Sequence, residues 1–121
     1  MAGSILVVDD NQNFQELLKR VFTKRGYEVK TASNGEEALD LLQRDSFGLA
    51  VLDLRMDVLD GIALLKEIRR HRPTLRSIIV TGYPTEETRN QAFENGALAY
   101  LTKPVDLGEL TSTVDSLIAA G

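Results

Sequence analysis

Five times in succession, a short aliphatic or β-branched run gives way to a stretch whose apolar positions recur at helical spacing. The runs are Ile5 to Val8, Glu28 to Ala32, Leu49 to Leu52, Ser77 to Val80 and Ala97 to Leu101. Such alternation predicts a parallel sheet covered by helices on both faces.

The first helix is the clearest, with Phe14, Leu17, Leu18, Val21 and Phe22 on one face and Gly26 available for a left-handed stop. A second is expected after Asn34-Gly35, burying Ala38, Leu41 and Leu42. A third starts near Gly61 with Ile62, Leu65 and Ile68 inward and ends at His71-Arg72-Pro73. The fourth, after Pro84, is polar and leaves Ala92 and Phe93 as its main apolar contacts, so it is expected to be the least firmly anchored. The last spans about Leu107 to Ala119, with Leu110, Val114, Leu117 and Ile118 facing the sheet. No linker or low-complexity tract interrupts the pattern, and one βα-alternating domain is expected over residues 1–121.

Composition narrows the function. At 43% hydrophobic and 26% charged residues the chain can bury a core, which excludes wholesale disorder. No apolar run approaches the ~18 to 20 residues needed to cross a bilayer, and no secretory leader is visible. The chain has no cysteine, which removes thiolate nucleophiles and cysteine metal sites and leaves the cytoplasm as the expected compartment. Fourteen basic against eighteen acidic residues give a net charge of −4, the wrong sign for a domain that tracks a phosphate backbone. Direct nucleic acid binding by this chain is therefore not expected.

Ligands of open parallel sheets bind at the carboxyl ends of the strands. There the pattern places Asp9-Asp10 after the first strand, Asp53 after the third, Thr81-Gly82 after the fourth and Lys103-Pro104 after the fifth. Three carboxylates brought together repel one another unless protons or a cation compensate, and an all-oxygen set suits a hard ion such as Mg²⁺. Lys103 and the Thr81 hydroxyl, with that ion, would suit the oxygens of a phosphoryl group, and a carboxylate can itself accept that group as an aspartyl phosphate. Taken singly, Asp9 or Asp10 reads as a helix cap, Asp53 as a loop acid, Thr81 as a strand residue and Lys103 as a surface lysine. Their joint placement at carboxyl ends is what points to a site. His71, the only histidine, sits among Arg69, Arg70 and Arg72 and reads as a solvated group at a helix end.

The segments Val7-Val8-Asp9-Asp10, Leu52-Asp53-Leu54-Arg55-Met56, Asp60-Gly61, Thr81-Gly82 and Tyr100-Leu101-Thr102-Lys103-Pro104 together resemble the signature of two-component response regulator receiver domains, the CheY-like superfamily. The likeness covers essentially the whole chain. It implies a flavodoxin-like (βα)5 three-layer sandwich with a five-stranded parallel sheet of order 2-1-3-4-5. It further implies that Asp53 accepts a phosphoryl group from a sensor histidine kinase or phosphotransfer protein. Asp10 and Asp53 would bind Mg²⁺ directly, Arg55 would offer its backbone carbonyl, and Asp9 would act chiefly through a metal-bound water. Thr81 and Lys103 would bond the phosphoryl group, Tyr100 would be the switch aromatic, and Lys103-Pro104 would be cis. The output surface, and any homodimer contact, would lie on the fourth helix, fifth strand and fifth helix.

The chain departs from the family pattern at Asp57, where Pro is usual, and at Leu59, where Met is frequent; both make the loop after Asp53 more acidic or more mobile in expectation. Two rival classes are weaker. A phosphatase resembling the haloacid dehalogenases requires a carboxylate two residues after its nucleophile, where this chain has Arg55, which cannot exchange a proton near neutral pH. A phosphorylation-independent binding module has no use for a charge-repelling acidic pocket.

Overall fold

The computed structural model of the chain describes residues 3–55 and 60–120. Five parallel strands, β1 (Ser4–Val8), β2 (Glu28–Ala32), β3 (Leu49–Leu52), β4 (Arg76–Thr81) and β5 (Ala99–Thr102), form one sheet in the order β2-β1-β3-β4-β5. Helices α1 (Gln12–Lys24), α2 (Gly35–Arg44), α3 (Gly61–His71), α4 (Glu86–Glu94) and α5 (Leu107–Ala119) follow the strands in turn. This is the flavodoxin-like arrangement expected from the resemblance.

Successive strand residues point to opposite faces, so a strand covered on both sides must be apolar at nearly every position. In β1, Leu6 and Val8 join Ala50, Leu52 and Ile79 in a core completed by Ala38 and Leu42 of α2, Leu64, Leu65 and Ile68 of α3 and Ala92 of α4. Ile5 and Val7 face the other way, where Leu49, Val51, Ile78 and Val80 meet Leu18 and Phe22 of α1 and Leu110 and Val114 of α5. Three layers result, with α2, α3 and α4 on one face and α1 and α5 on the other. Each fully buried Leu, Ile or Phe contributes about 1.5–3 kcal/mol, so the central strands hold the molecule together.

All five helices begin at the edge where the strands end, and each starts with a side-chain cap. Asn11, Asn34, Asp60, Thr85 and Asp106 accept hydrogen bonds from the third helical amides, those of Phe14, Glu37, Ala63, Thr88 and Glu109. Asn11, and not Asp9 or Asp10, caps α1, so both aspartates are free of that duty. At the opposite ends, Gly26 and Gly96 take φ of 91° and 98°, the left-handed stop that only glycine adopts without strain.

Some apolar positions differ from expectation. In α3, Leu64 joins Leu65 and Ile68 in the core while Ile62 is half-buried. Phe93 is 42% exposed, leaving Ala92 as the only buried residue of α4. The last strand begins at Ala99 and not at Ala97, because the Ala97 amide bonds Ala92 O at 2.9 Å and completes the helix stop. His71 is exposed, as expected, with Nε2 3.2 Å from Glu67.

Candidate functional site

The register aligns Val8 with Leu52 and Thr81 with Thr102, so the residues just beyond those pairs emerge along one rim. Asp9 follows β1 and is 2% exposed; Asp53 follows β3 and is 5% exposed; Asp10 is exposed. One carboxylate oxygen from each of the three lies within 4.8 Å of the others. Lys103 bends into this cluster, with Nζ 2.7 Å from Asp9 Oδ2 and 3.9 Å from Asp53 Oδ2. Asp10, Asp53, Arg55, Asp60, Tyr83 and Lys103 are among the walls of an open cleft of ≈ 830 Å³.

Backbone geometry fixes the acids. The Asp53 amide donates to Val8 O at 2.9 Å and the Asp9 amide to Ala32 O at 3.0 Å, anchoring both to neighbouring strands. Asp9 Oδ1 accepts from the Asn11 amide at 2.9 Å, and Asp53 Oδ1 from the Arg55 amide at 3.5 Å. Gly61 begins α3 against the backbone of Asp53: a Cβ there would stand 2.1 Å from Asp53 O. Only glycine permits that approach.

Burial pushes the Asp53 carboxyl above the ordinary aspartate range, and the neighbouring Asp9 charge pushes it the same way; Lys103 and the Arg55 amide oppose this incompletely. A crowded, all-oxygen set whose central member resists ionisation is the donor chemistry that a hard divalent cation satisfies. The residues present therefore fit Mg²⁺.

Thr81 ends β4 at the same edge and is fully buried, but its Oγ1 accepts from the Tyr83 amide at 3.1 Å. No hydrogen bond joins it to Asp53 among the described residues. Tyr100, half-buried in β5, directs its hydroxyl to Thr88 Oγ1 at 2.9 Å, on the third residue of α4. The Arg55 guanidinium lies 4.1 Å from the centroid of the Tyr83 ring, so its side chain as well as its backbone borders the cleft. Lys103-Pro104 is cis, as the resemblance implied. Met56, Asp57 and Leu59 lie outside the described residues, so the expectations for that loop have no structural counterpart.

Sequence reasoning passed over Gln15. Its buried amide nitrogen reaches Asp9 O, Ala32 O at 3.3 Å and Ser33 Oγ at 3.1 Å, tying α1 to the ends of β1 and β2. The signal was present: Gln15, Leu18 and Phe22 share one buried face, and an amide on such a face requires polar partners.

The fold and the rim define an α/β protein with a carboxylate-rich pocket suited to a cation and an anionic group. The family model described as the response regulator receiver domain matches residues 5–115, and the chain belongs to that family of two-component systems. It is 39% identical over 115 residues to the transcriptional regulatory protein ZraR of Escherichia coli (strain K12), a match covering 95% of this chain and 26% of that protein. The chain thus spans about a quarter of that relative's length. Sporulation initiation phosphotransferase F of Bacillus subtilis (strain 168) is 36% identical over 114 residues, covering 94% of this chain and 92% of that one. A response regulator receiver protein from Pseudomonas putida superimposes with a TM-score of 0.92 at 35% identity, covering 96% of this chain and 98% of that one. TrrA from Thermotoga maritima, solved in complex with Mg(2+)-BeF, does so at 0.86 and 35%, covering 97% and 99%. Among the described residues, no helix is long and apolar enough to cross a membrane.

Proposed function

We propose that residues 1–121 form one receiver domain that acts in the cytoplasm as a phosphorylation-dependent switch, with Asp53 the phosphoacceptor. The observation carrying this reading is the convergence of Asp9, Asp10 and Lys103 on a buried Asp53 at the end of a central strand. A sensor histidine kinase or phosphotransfer protein presents the phosphohistidine. An Asp53 carboxylate oxygen attacks phosphorus, the new O–P bond forms as the P–N bond breaks, and the leaving imidazole nitrogen keeps the electron pair and takes a proton.

Asp10, Asp53 and the Arg55 carbonyl would hold Mg²⁺, with Asp9 acting through water. Bound there, the ion would supply positive charge to offset that of the phosphoryl oxygens. Lys103 lies close enough to transfer its ammonium from Asp9 to a phosphoryl oxygen, and Thr81 supplies a hydroxyl by turning from the Tyr83 amide. Once Asp53 carries about −1.5 to −2 charges, Thr81 and Tyr100 shift and the surface of α4, β5 and α5 changes, controlling an output domain, a partner or a homodimer. The domain is regulatory, and the same residues assist its own phosphoryl transfer and dephosphorylation.

Incubation with acetyl phosphate and Mg²⁺ is expected to add one phosphoryl mass, and Asp53→Asn to abolish it. A fully labelled Asp53→Asn protein would overturn the assignment. Asp10→Asn is expected to weaken Mg²⁺ affinity and labelling together; an unchanged metal titration would show that Asp10 is not a ligand.

A further inference from the structure

Lys103 approaches the acidic cluster across the face of an aromatic ring. Its Nζ lies 4.4 Å from the Phe14 ring centroid, 2.7 Å from Asp9 Oδ2 and 3.9 Å from Asp53 Oδ2. An ammonium within about 6 Å of a ring face is attracted by the ring's negative quadrupole, more strongly where water is excluded. The Lys103 side chain is 24% exposed and its Asp9 partner 2%, so the ammonium that faces the ring sits largely out of solvent.

The backbone that carries the ring is itself held from the site. Asp9 Oδ1 accepts the Asn11 amide at 2.9 Å, and Asn11 Oδ1 accepts the Phe14 amide at 3.0 Å. Contacts therefore run from one oxygen of Asp9 through the α1 cap to Phe14, across its ring to Lys103, and back to the other oxygen of Asp9. Each member sets the position of the next. Leucine at position 14 would keep an apolar contact with the α1 and α5 core, but would offer the ammonium no ring face.

We propose that Phe14 is a positioning residue for phosphoryl transfer: its ring face holds the Lys103 ammonium between Asp9 and Asp53, ready to meet the incoming phosphoryl oxygens. The proposal rests on the reading of Asp53 as phosphoacceptor for its kinetic consequence, but not for the contact itself. Without the ring, Lys103 keeps its ion pair with Asp9 and loses its restraint toward Asp53. Transfer slows while the fold stays intact.

The test joins a spectrum to a rate. In the wild-type spectrum, the Lys103 ε-methylene protons are expected upfield of those of Lys19, Lys24, Lys30 and Lys66, because the ring current shields protons over its face. Phe14→Leu is expected to abolish that shift and slow acetyl phosphate labelling by about three- to tenfold, the range a partly desolvated cation–π contact supports, with thermal stability nearly unchanged. Phe14→Tyr, which keeps the face, is expected to restore both shift and rate. Lys103 protons at the shift of the other four lysines in the wild type overturn the proposal. So does a Phe14→Leu rate equal to wild type, or a Phe14→Tyr rate as low as Phe14→Leu, which would show that volume and not the ring face matters. Phe14→Met gives a second apolar variant should leucine disturb the fold. Retained labelling in Asp53→Asn with the shift present would instead indict the phosphoacceptor and leave the contact standing.

Discussion

Gly61→Ala places a single methyl group where the structure leaves no room. The added Cβ would stand 2.1 Å from Asp53 O, 2.8 Å from Leu54 Cα and 2.9 Å from Asp53 C, all backbone atoms that have no rotamer with which to yield. Restoring ordinary contact requires a displacement of roughly 1 Å, either of the α3 start or of the chain leaving β3. Two effects compete. Alanine lowers the entropy of the unfolded chain and improves helix propensity, together favourable by about 1 kcal/mol at most. Overpacking against fixed atoms costs about 1–3 kcal/mol, and the Gly61 amide bond to Leu54 O, 3.0 Å long, is strained with it. The clash dominates because no flexible side chain is present to absorb it.

The expected result is a lower Tm by roughly 5–10 °C in a circular dichroism melt, for a domain of this size. On the proposed reading, acetyl phosphate labelling falls by up to about 100-fold, since a 1 Å misplacement of a reacting group has that order of cost. Gly48→Ala is the control: its Cβ would meet Ser4 O at an ordinary 3.6 Å, and stability is expected to stay within about 0.5 kcal/mol of wild type. A Gly61→Ala protein that melts with the wild type and labels at its rate would refute the argument from close approach.

Asp53→Asn is expected to raise the Tm in metal-free neutral buffer, because burial beside Asp9 disfavours ionised Asp53. A raised native pKa means wild-type stability falls as pH climbs through that value, so the advantage of asparagine should shrink on acidification; a constant gap would contradict the cause. The Tyr27 phenol, pushed up to about 12 by burial first and by its bond to Asp115 second, should titrate lower in Asp115→Asn when followed by tyrosinate absorbance. An unchanged titration would leave burial as the whole cause. Thr88→Val and Tyr100→Phe are expected to show a coupling of about 0.5–1.5 kcal/mol in a double-mutant cycle of denaturant melts, reflecting their 2.9 Å hydrogen bond. Additive losses would mean the bond contributes nothing.

Much of this molecule is legible from patterns of short range. The alternation of aliphatic runs with helical periodicity gives the sheet and its helices, and the rule that ligands gather at strand ends gathers Asp9, Asp10, Asp53, Thr81 and Lys103 to one rim. What escapes are contacts set by side-chain reach between distant residues. Lys103 bonds Asp9 across 94 positions of chain, and its seat on Phe14 depends on the path of its side chain, which no periodicity records. Phe14 itself reads as one more apolar residue of the α1 face. Gly61 is visible as a helix start, but its closeness to Asp53 O depends on how α3 is laid against β3. Gln15 alone was recoverable, from the oddity of an amide in line with Leu18 and Phe22.

The polar fourth helix bears on how a signal would leave the site. Its one buried residue is Ala92, whereas lifting α1 would expose Leu18 and Phe22 at about 1.5–3 kcal/mol each. Yet α4 is not loose. At its start Thr85 and Thr88 cap one another and Thr88 holds Tyr100; at its end Arg69 donates to Glu94 O at 2.8 Å and Asn95 to Gln91 O at 2.7 Å. Such bonds exchange with water at about 1 kcal/mol each, so the helix can be released at one end while pinned at the other. The end nearer the site is its start, reached from Thr81 through the Tyr83 amide at 3.1 Å. If phosphorylated Asp53 draws the Thr81 hydroxyl inward, that amide loses its partner and the first turn of α4 with it, while Arg69 keeps the far end in place. Hydrogen exchange with and without beryllofluoride should therefore change from Thr85 to Tyr100, most in the first turn of α4, and stay flat from Leu17 to Phe22 in α1. Changes confined to α1, with Thr85 to Tyr100 unaltered, would show that the signal leaves by another face.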